Sequence, residues 1–336
     1  ANISAGTSEN TCAVIKAGVV PIATALLASS STDLQDHAAW LLANIACENC
    51  ACVLDAGALP PLLRLLDNVK RGTPSEQSLI KTGTWLLSNL CQYTEDFDLV
   101  KECLPRLVAL IVSTDEAVLK DRCWGLMYIC RLNIDAVVNS GACKPLVKLL
   151  MHNSDDVCCV ALEALSAVFG NGNIHHKRTV IKYQVLPRLR YLLHSRRERT
   201  REIACTAFAN IIRDTPELLL VLRNADVFLS LISIVARTAS NRGGWLTWRE
   251  AVRALCNAAD CATGVHPEIF PYLVGHGLIF ALSQTTKEAA NTSMELCMDP
   301  VLKIVELLIE AGADPSVFTL SGDSNGGDEG SAPILP

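Results

Sequence analysis

A phrase returns along this chain about every forty residues, and that period limits the fold more than any other feature. Taking one Asn, or the residue aligned with it, as marker gives Asn2, Asn44, Asn89, Tyr128, Ala167, Asn210 and Asn257. The intervals are 42, 45, 39, 39, 43 and 47 residues. Intervals of that length belong to helical solenoids, in which each unit buries its apolar face only against its neighbours. A second marker runs in phase: KAGVVPIATALL, DAGALPPLLRLL, NSGACKPLVKLL and YQVLPRLRYLL are versions of one phrase. Gly18, Gly57 and Gly141 suit a helix end in the left-handed conformation. Pro21, Pro60 and Pro187 fit the first turn of the next helix, where a missing N–H costs nothing.

Polar stretches such as SSSTDLQD and STDEAVLKD follow that helix. Their Ser, Thr and Asp residues suit the N-cap of a third, longer helix. Each unit is therefore expected to hold a short, a middle and a long helix, which is the armadillo pattern; HEAT units have two. The expected fold is all-α, an armadillo-repeat right-handed superhelical solenoid of about seven three-helix repeats. Residues 1–320 are expected to form this armadillo-repeat domain, with 1–7 the end of an incomplete repeat whose beginning is absent. Residues 321–336, rich in Gly, Ser and acids, are expected to be a disordered acidic tail.

Composition excludes several functions. Half the residues are hydrophobic but only 5% are aromatic, as a continuous aliphatic helical core requires. A formal net charge of −6 argues against nucleic acid, whose phosphates need a positive surface, and favours basic ligands. No run reaches the roughly 18 apolar residues of a membrane span, so no membrane association is expected. The 15 cysteines are scattered. Cys91, Cys123, Cys130, Cys205 and Cys256 lie in helical apolar patterns, where Cys packs as a small core residue. Cys47, Cys50 and Cys52 cluster in ACENCACV, but no second pair of ligands completes a zinc site. Neither a metal nor a cofactor is expected. Without an HExxH, GxSxG, P-loop or dinucleotide fingerprint, an enzyme is not expected either.

The chemistry that remains is a ladder. Trp40 precedes Asn44 by four residues in HAAWLLANIA, and Trp85 precedes Asn89 by four in GTWLLSNLC. Four residues are little more than a helical turn, so each indole stands beside its amide on one face. Repeated in register, such pairs suit a groove that receives an extended peptide. An Asn amide both donates and accepts, and so satisfies a peptide unit of any sequence. Neighbouring indoles form slots for the methylene stems of Lys or Arg and add cation–π attraction. Trp245 and Trp248 read as packing residues, HSRRERTRE as a solvated loop with a helix start, and His175-His176 as surface.

The motifs carry a family resemblance. ANISAGTSENT resembles the NIASGTSEQT segment of importin-α, the adaptor that recognises nuclear localisation signals. HAAWLLANIA, GTWLLSNLC and DRCWGLMYIC resemble the third helices of the repeats that follow, and the likeness runs in repeat order over nearly the whole chain. The resemblance implies a main signal site at Asn2, Trp40, Asn44, Trp85 and Asn89. It implies a lysine pocket from Gly6, Thr11 and Glu48, where Glu48 stands in place of the family's Asp. Trp124 and Tyr128 match the aromatic pair of the repeat that links the family's two sites.

The resemblance also implies a second, minor site, and here the chain departs from the pattern. Its Trp positions fall on Thr206 and Arg253, while Asn210, Glu250 and Asn257 match. An Arg and an Asn expected one repeat earlier are Glu163 and Ala167. One strong site and one weak site are expected, with bipartite signals gaining little from their second cluster. The implied function is a non-catalytic adaptor for nuclear protein import, present in cytoplasm and nucleus; the alternative is a general armadillo scaffold for another protein segment. The implied partners are proteins with basic signals. Importin-β would bind only through an N-terminal arm absent from this chain, and an export receptor would engage the later repeats.

Overall fold

Helices start where the chain supplies a capping side chain. In the computed structural model, Thr7 heads Ser8–Lys16 and Ser31 heads Thr32–Asp55, each hydroxyl accepting a backbone N–H of the first turn. Thr73 and Glu76 form a reciprocal capping box at Pro74–Gln92. Asp115 accepts two N–H groups at the start of Glu116–Leu132. The structure describes residues 7–70, 72–109, 113–213, 215–238, 244–282, 299–310 and 312, and among these there is no strand. Asn2, Gly6 and the tail 321–336 lie outside the described residues. The fold is an all-α armadillo solenoid. It divides into two compact units, Ala1–Asp214 and Thr215–Pro336.

In the first unit, Gly18, Gly57 and Gly141 turn the chain between first and middle helices with φ of 72°, 70° and 80°. Gln184 takes the same place one repeat later at φ 58°, although a Cβ disfavours that conformation. Pro21, Pro60 and Pro187 all fall in the first turn of their helices. The short interval from Asn44 to Gly57 has a local cause. The third helix runs directly into the next first helix, and Thr32–Asp55 is broken at Asn49 (φ −148°, ψ 80°). Asn49 Oδ1 then caps the continuation by accepting from the Cys52 N–H at 3.0 Å.

The long helices Thr32–Asp55, Pro74–Gln92, Glu116–Leu132, Asp155–Asn171 and Glu198–Ile212 pack in succession. Leu42, Ile45, Leu86, Leu90, Ile129, Leu165, Phe169 and Phe208 are fully buried among them, as are Cys91, Cys123 and Cys205. By length and composition Thr32–Asp55 could cross a membrane. Its break and its buried apolar residues make it a core helix instead. Polar ties join neighbouring repeats across about one repeat length: Ser78 to Asp36, Lys81 to Asp115, Ser154 to Glu116 and Arg197 to Asp156. His176 is a further tie. It is buried, accepts the Asn173 N–H at Nδ1 and donates from Nε2 to Asp135 at 2.8 Å. The surface position expected for it is therefore corrected, since a histidine with both ring nitrogens satisfied can be buried without penalty.

In the second unit, Trp245–Ala262 packs against Val227–Thr238 and Asp299–Glu310. Asp226, at φ 53°, takes the left-handed position there. Lys303 pairs with Asp260 across one repeat.

Candidate functional site

Helix periodicity places Trp40, Asn44 and Glu48 on one face of Thr32–Asp55, and Trp85, Asn89 and Tyr93 on the matching face of the next long helix. Both indoles are half-buried. The amides differ. Asn44 is half-buried, and its Nδ2 donates to the Trp40 carbonyl of its own helix at 2.9 Å. Asn89 is only 5% exposed, and its Nδ2 crosses to the preceding repeat. There it donates to the Ala43 carbonyl at 3.1 Å and approaches Cys47 Sγ at 3.2 Å. Asn44 thus keeps a donor and a carbonyl for a ligand, whereas Asn89 has spent its N–H groups and offers its carbonyl. A buried amide takes the nearest acceptor, and here the nearest one lies one repeat away.

Glu48 is exposed and makes no ion pair among the described residues. Tyr93, 46% exposed, stands close by: burial pushes its phenol pKa up, and Cys47 and Glu48 add to the shift. Burial and Glu48 likewise raise the Cys47 thiol. The sequence reading missed Tyr93 and Cys47, although extending the four-residue step from Asn89 reaches Tyr93. Of the pocket expected from Gly6, Thr11 and Glu48, only Glu48 is open among the described residues. Thr11 is 1% exposed, and its hydroxyl donates back to the Thr7 carbonyl at 3.5 Å.

The next repeat is aromatic. Trp124 and Tyr128 stack on each other with centroids 6.1 Å apart and planes 19° from parallel. Arg131 lies 5.9 Å from the Tyr128 centroid and donates to the Gln92 carbonyl at 3.1 Å. Beyond it the face turns charged. Glu163 and Glu202 share Arg199, Thr206 donates to the Glu202 carbonyl, and Asn210 is half-buried against Gly170. The stretch HSRRERTRE therefore does more than solvate a loop, since Arg197 and Arg199 both tie back to the preceding repeat.

In the second unit Glu250 is 7% exposed and bound on both sides by its own helix. Arg253 Nε donates to it at 2.8 Å and Arg249 Nε at 3.2 Å. Arg253 thus neutralises the very carboxylate that was expected to receive a ligand cation. Asn257 is half-buried on the same helix. Trp248 is buried and stacks on Trp245 at 5.7 Å, a packing pair as expected. No group of three or more His, Cys, Asp or Glu side chains among the described residues could hold a metal. Burial pushes the Cys50 thiol up to about 11, so it stays protonated at neutral pH.

Comparison with known proteins shows what the chain is similar to. The armadillo/beta-catenin-like repeat model matches residues 7–47, 132–166 and 173–213. Importin subunit alpha-1b of Oryza sativa subsp. japonica is 40% identical over 200 residues, 57% of this chain and 36% of that protein. Importin subunit alpha-1a of the same organism is 34% identical over 241 residues, 69% of this chain and 45% of that protein. The chain fits the importin-α family. Its members, like other armadillo-repeat proteins, are non-enzymatic adaptors or scaffolds. The chain spans roughly a third to a half of the length of the curated importin-α relatives it matches. Among solved structures, a designed armadillo repeat protein in complex with the peptide (KR)4 is similar to it. The TM-score is 0.64 at 26% identity, covering 71% of this chain and 99% of the designed one.

Proposed function

We propose that this importin-α-like chain is an adaptor for nuclear protein import that holds Lys/Arg-rich nuclear localisation signals across Trp40, Asn44, Trp85 and Asn89. The observation that carries the reading is the pair of half-buried indoles on successive long helices, with the exposed Glu48 two turns from Trp40 on the same face. An alkyl stem between the indoles gains apolar and cation–π contact. Its charged head then meets Glu48 in a charge-assisted bond, while Asn44 holds the peptide backbone. The similar designed armadillo repeat protein, solved in complex with the peptide (KR)4, supports this ligand class. Asn2, Gly6 and Thr11 belong to the proposed site through the resemblance alone, and Trp124 and Tyr128 extend it. Asn210, Glu250 and Asn257 are weaker contributors, with Glu250 already engaged by Arg253. Importin-β, reached through an N-terminal arm, and an export receptor are the further partners proposed, with residence in cytoplasm and nucleus.

One observation favours the rival reading of a general scaffold: Asn89 is committed to the preceding repeat. Calorimetric titration with a short basic signal peptide, and with a neutral peptide of equal length, separates the two readings. The adaptor reading expects the basic peptide alone to bind, with the Trp85→Ala/Asn89→Ala double variant losing most of the affinity. Equal binding of the basic peptide by both proteins would remove the groove assignment.

A further inference from the structure

One stretch of this acidic chain is strongly basic. Residues 172–201 hold nine Lys and Arg against a single Glu, a formal +8 inside a chain of −6. Arg197 and Arg199 spend their charge on acids of the preceding repeat. Arg188 and Arg201 do not. Arg188 Nη1 donates to the Val147 carbonyl at 2.6 Å and Arg201 Nη1 to the Ser195 carbonyl at 2.9 Å, and a carbonyl leaves the cation's charge uncancelled. The Arg188 bond lays Val185–Leu192 beside Cys143–Leu149, the middle helix of the preceding repeat. Lys144 and Lys148, one turn apart on that helix, are both exposed and make no ion pair among the described residues, and the same holds for Arg196. Neither middle helix carries an acidic residue. The nearest acids after Lys148 are Asp155 and Asp156, and Asp156 is held by Arg197.

Helix stability does not account for these charges. Lys144 lies in the first turn of its helix, and Arg197 stands at the N-cap of Glu198–Ile212 with Arg196 before it. Cations at those places oppose the helix dipole. Ser31, Thr73 and Asp115 cap the long helices of earlier repeats, whereas the Arg197 side chain caps nothing. Apolar side chains stand among the cations: Tyr191 is 67% exposed and Met151 54%. Tyr191 follows Lys148 by 43 residues, so phenol and ammonium hold equivalent places on neighbouring middle helices. Packed helices lie about 8–10 Å apart, a gap that three residues of extended chain bridge at about 3.3 Å each. Two carboxylates flanking one apolar residue can therefore reach the cations of both helices while that residue covers Tyr191 or Met151. A protein segment supplies this alternation of charge and apolar side chain; a uniform phosphate backbone does not.

We propose that the outer face of Cys143–Leu149 and Val185–Leu192, with Arg196 and Arg201 at its end, docks an acidic protein segment in which Asp or Glu flank an aromatic or aliphatic residue. This surface is independent of the peptide groove, since none of its residues belongs to that site. The test follows fluorescence anisotropy of labelled probes titrated with the parent chain. The probes are a short peptide of Asp and Glu with one central Phe, its Gly analogue and a short single-stranded DNA; sedimentation with phosphatidylserine vesicles tests a lipid surface. The Phe peptide is expected to bind the parent about fivefold more tightly than the Gly peptide, the value of one aromatic contact. Lys144→Glu/Lys148→Glu should weaken it at least about tenfold. Lys16→Glu/Lys70→Glu, which makes the same change in net charge at exposed positions elsewhere, should leave it within about twofold. Tyr191→Ala should remove the preference for Phe over Gly. Equal losses in the two charge variants, DNA or vesicles bound as tightly as the Phe peptide, or no binding of that peptide by the parent would each overturn the proposal. Circular dichroism melts check the fold of each variant, and Tyr191→Ala tests the surface without changing any charge.

Discussion

At the scale of single residues, two asparagines with the same sequence signature carry different loads. Asn44 bonds within its own helix, while Asn89 ties two repeats together through Ala43. Asn89→Ala should therefore cost about 1 kcal/mol of stability, the usual net value of a buried hydrogen bond, in addition to weakening peptide binding. Asn44→Ala should leave stability within about 0.5 kcal/mol, since its bond adds nothing between repeats. Urea titrations followed by circular dichroism measure both, and equal midpoints for the two variants would show that the inter-repeat bond is idle. Asp121 offers a pH test. Burial raises its carboxyl to about 6, against partial compensation from Lys120 and Arg122. Its folded pKa lies above its unfolded one, so its favourable contribution is complete below about pH 4 and is lost as pH rises through about 6. Asp121→Asn should then raise the urea midpoint at pH 7.5 and leave it nearly unchanged at pH 4. An equal effect at both pH values would contradict the burial of that charge.

At the scale of elements, Gln184 sits at φ 58° where earlier repeats use Gly. Removing the Cβ relieves about 1–2 kcal/mol of strain and costs part of that in unfolded-chain entropy. Gln184→Gly is therefore expected to stabilise the array by roughly 0.5–1 kcal/mol, seen as a higher thermal midpoint; a lower midpoint would mean that the Gln side chain has a compensating contact. That junction also marks what was legible in the sequence. The Gly and Pro of KAGVVP and DAGALP announce helix ends because each residue type has a backbone reason to be there. The Trp and Asn of the third helices announce a face, because four residues return to the same side of a helix. The commitment of Asn89, the burial of His176 and the Arg199 bridge were not legible. Each depends on a residue some 35–46 positions away, and sequence fixes the repeat period without fixing which side chains meet across it. Thr11 and Glu250 also bond inside the protein, but to residues of their own turn: Thr11 to the Thr7 carbonyl and Glu250 to Arg253.

At the scale of the molecule, a net charge of −6 favours encounter with basic ligands over acidic ones, with a range set by a Debye length of about 8 Å in physiological salt. Long-range attraction raises the encounter rate but does not choose a place on the surface. In the proposed groove the choice falls to the half-buried Trp40 and Trp85, which lie in the first unit, whereas Trp245 and Trp248 of the second unit are stacked on each other. The five tryptophans thus report on the central claim directly. In two-dimensional NMR, each indole N–H gives its own signal, assignable by single Trp→Phe substitutions. Titration with a short Lys/Arg-rich signal peptide should move the Trp40 and Trp85 signals together, saturating at one peptide per chain, while those of Trp245 and Trp248 stay in place. Movement confined to Trp245 and Trp248, or no movement of Trp40 and Trp85 at saturating peptide, would contradict it.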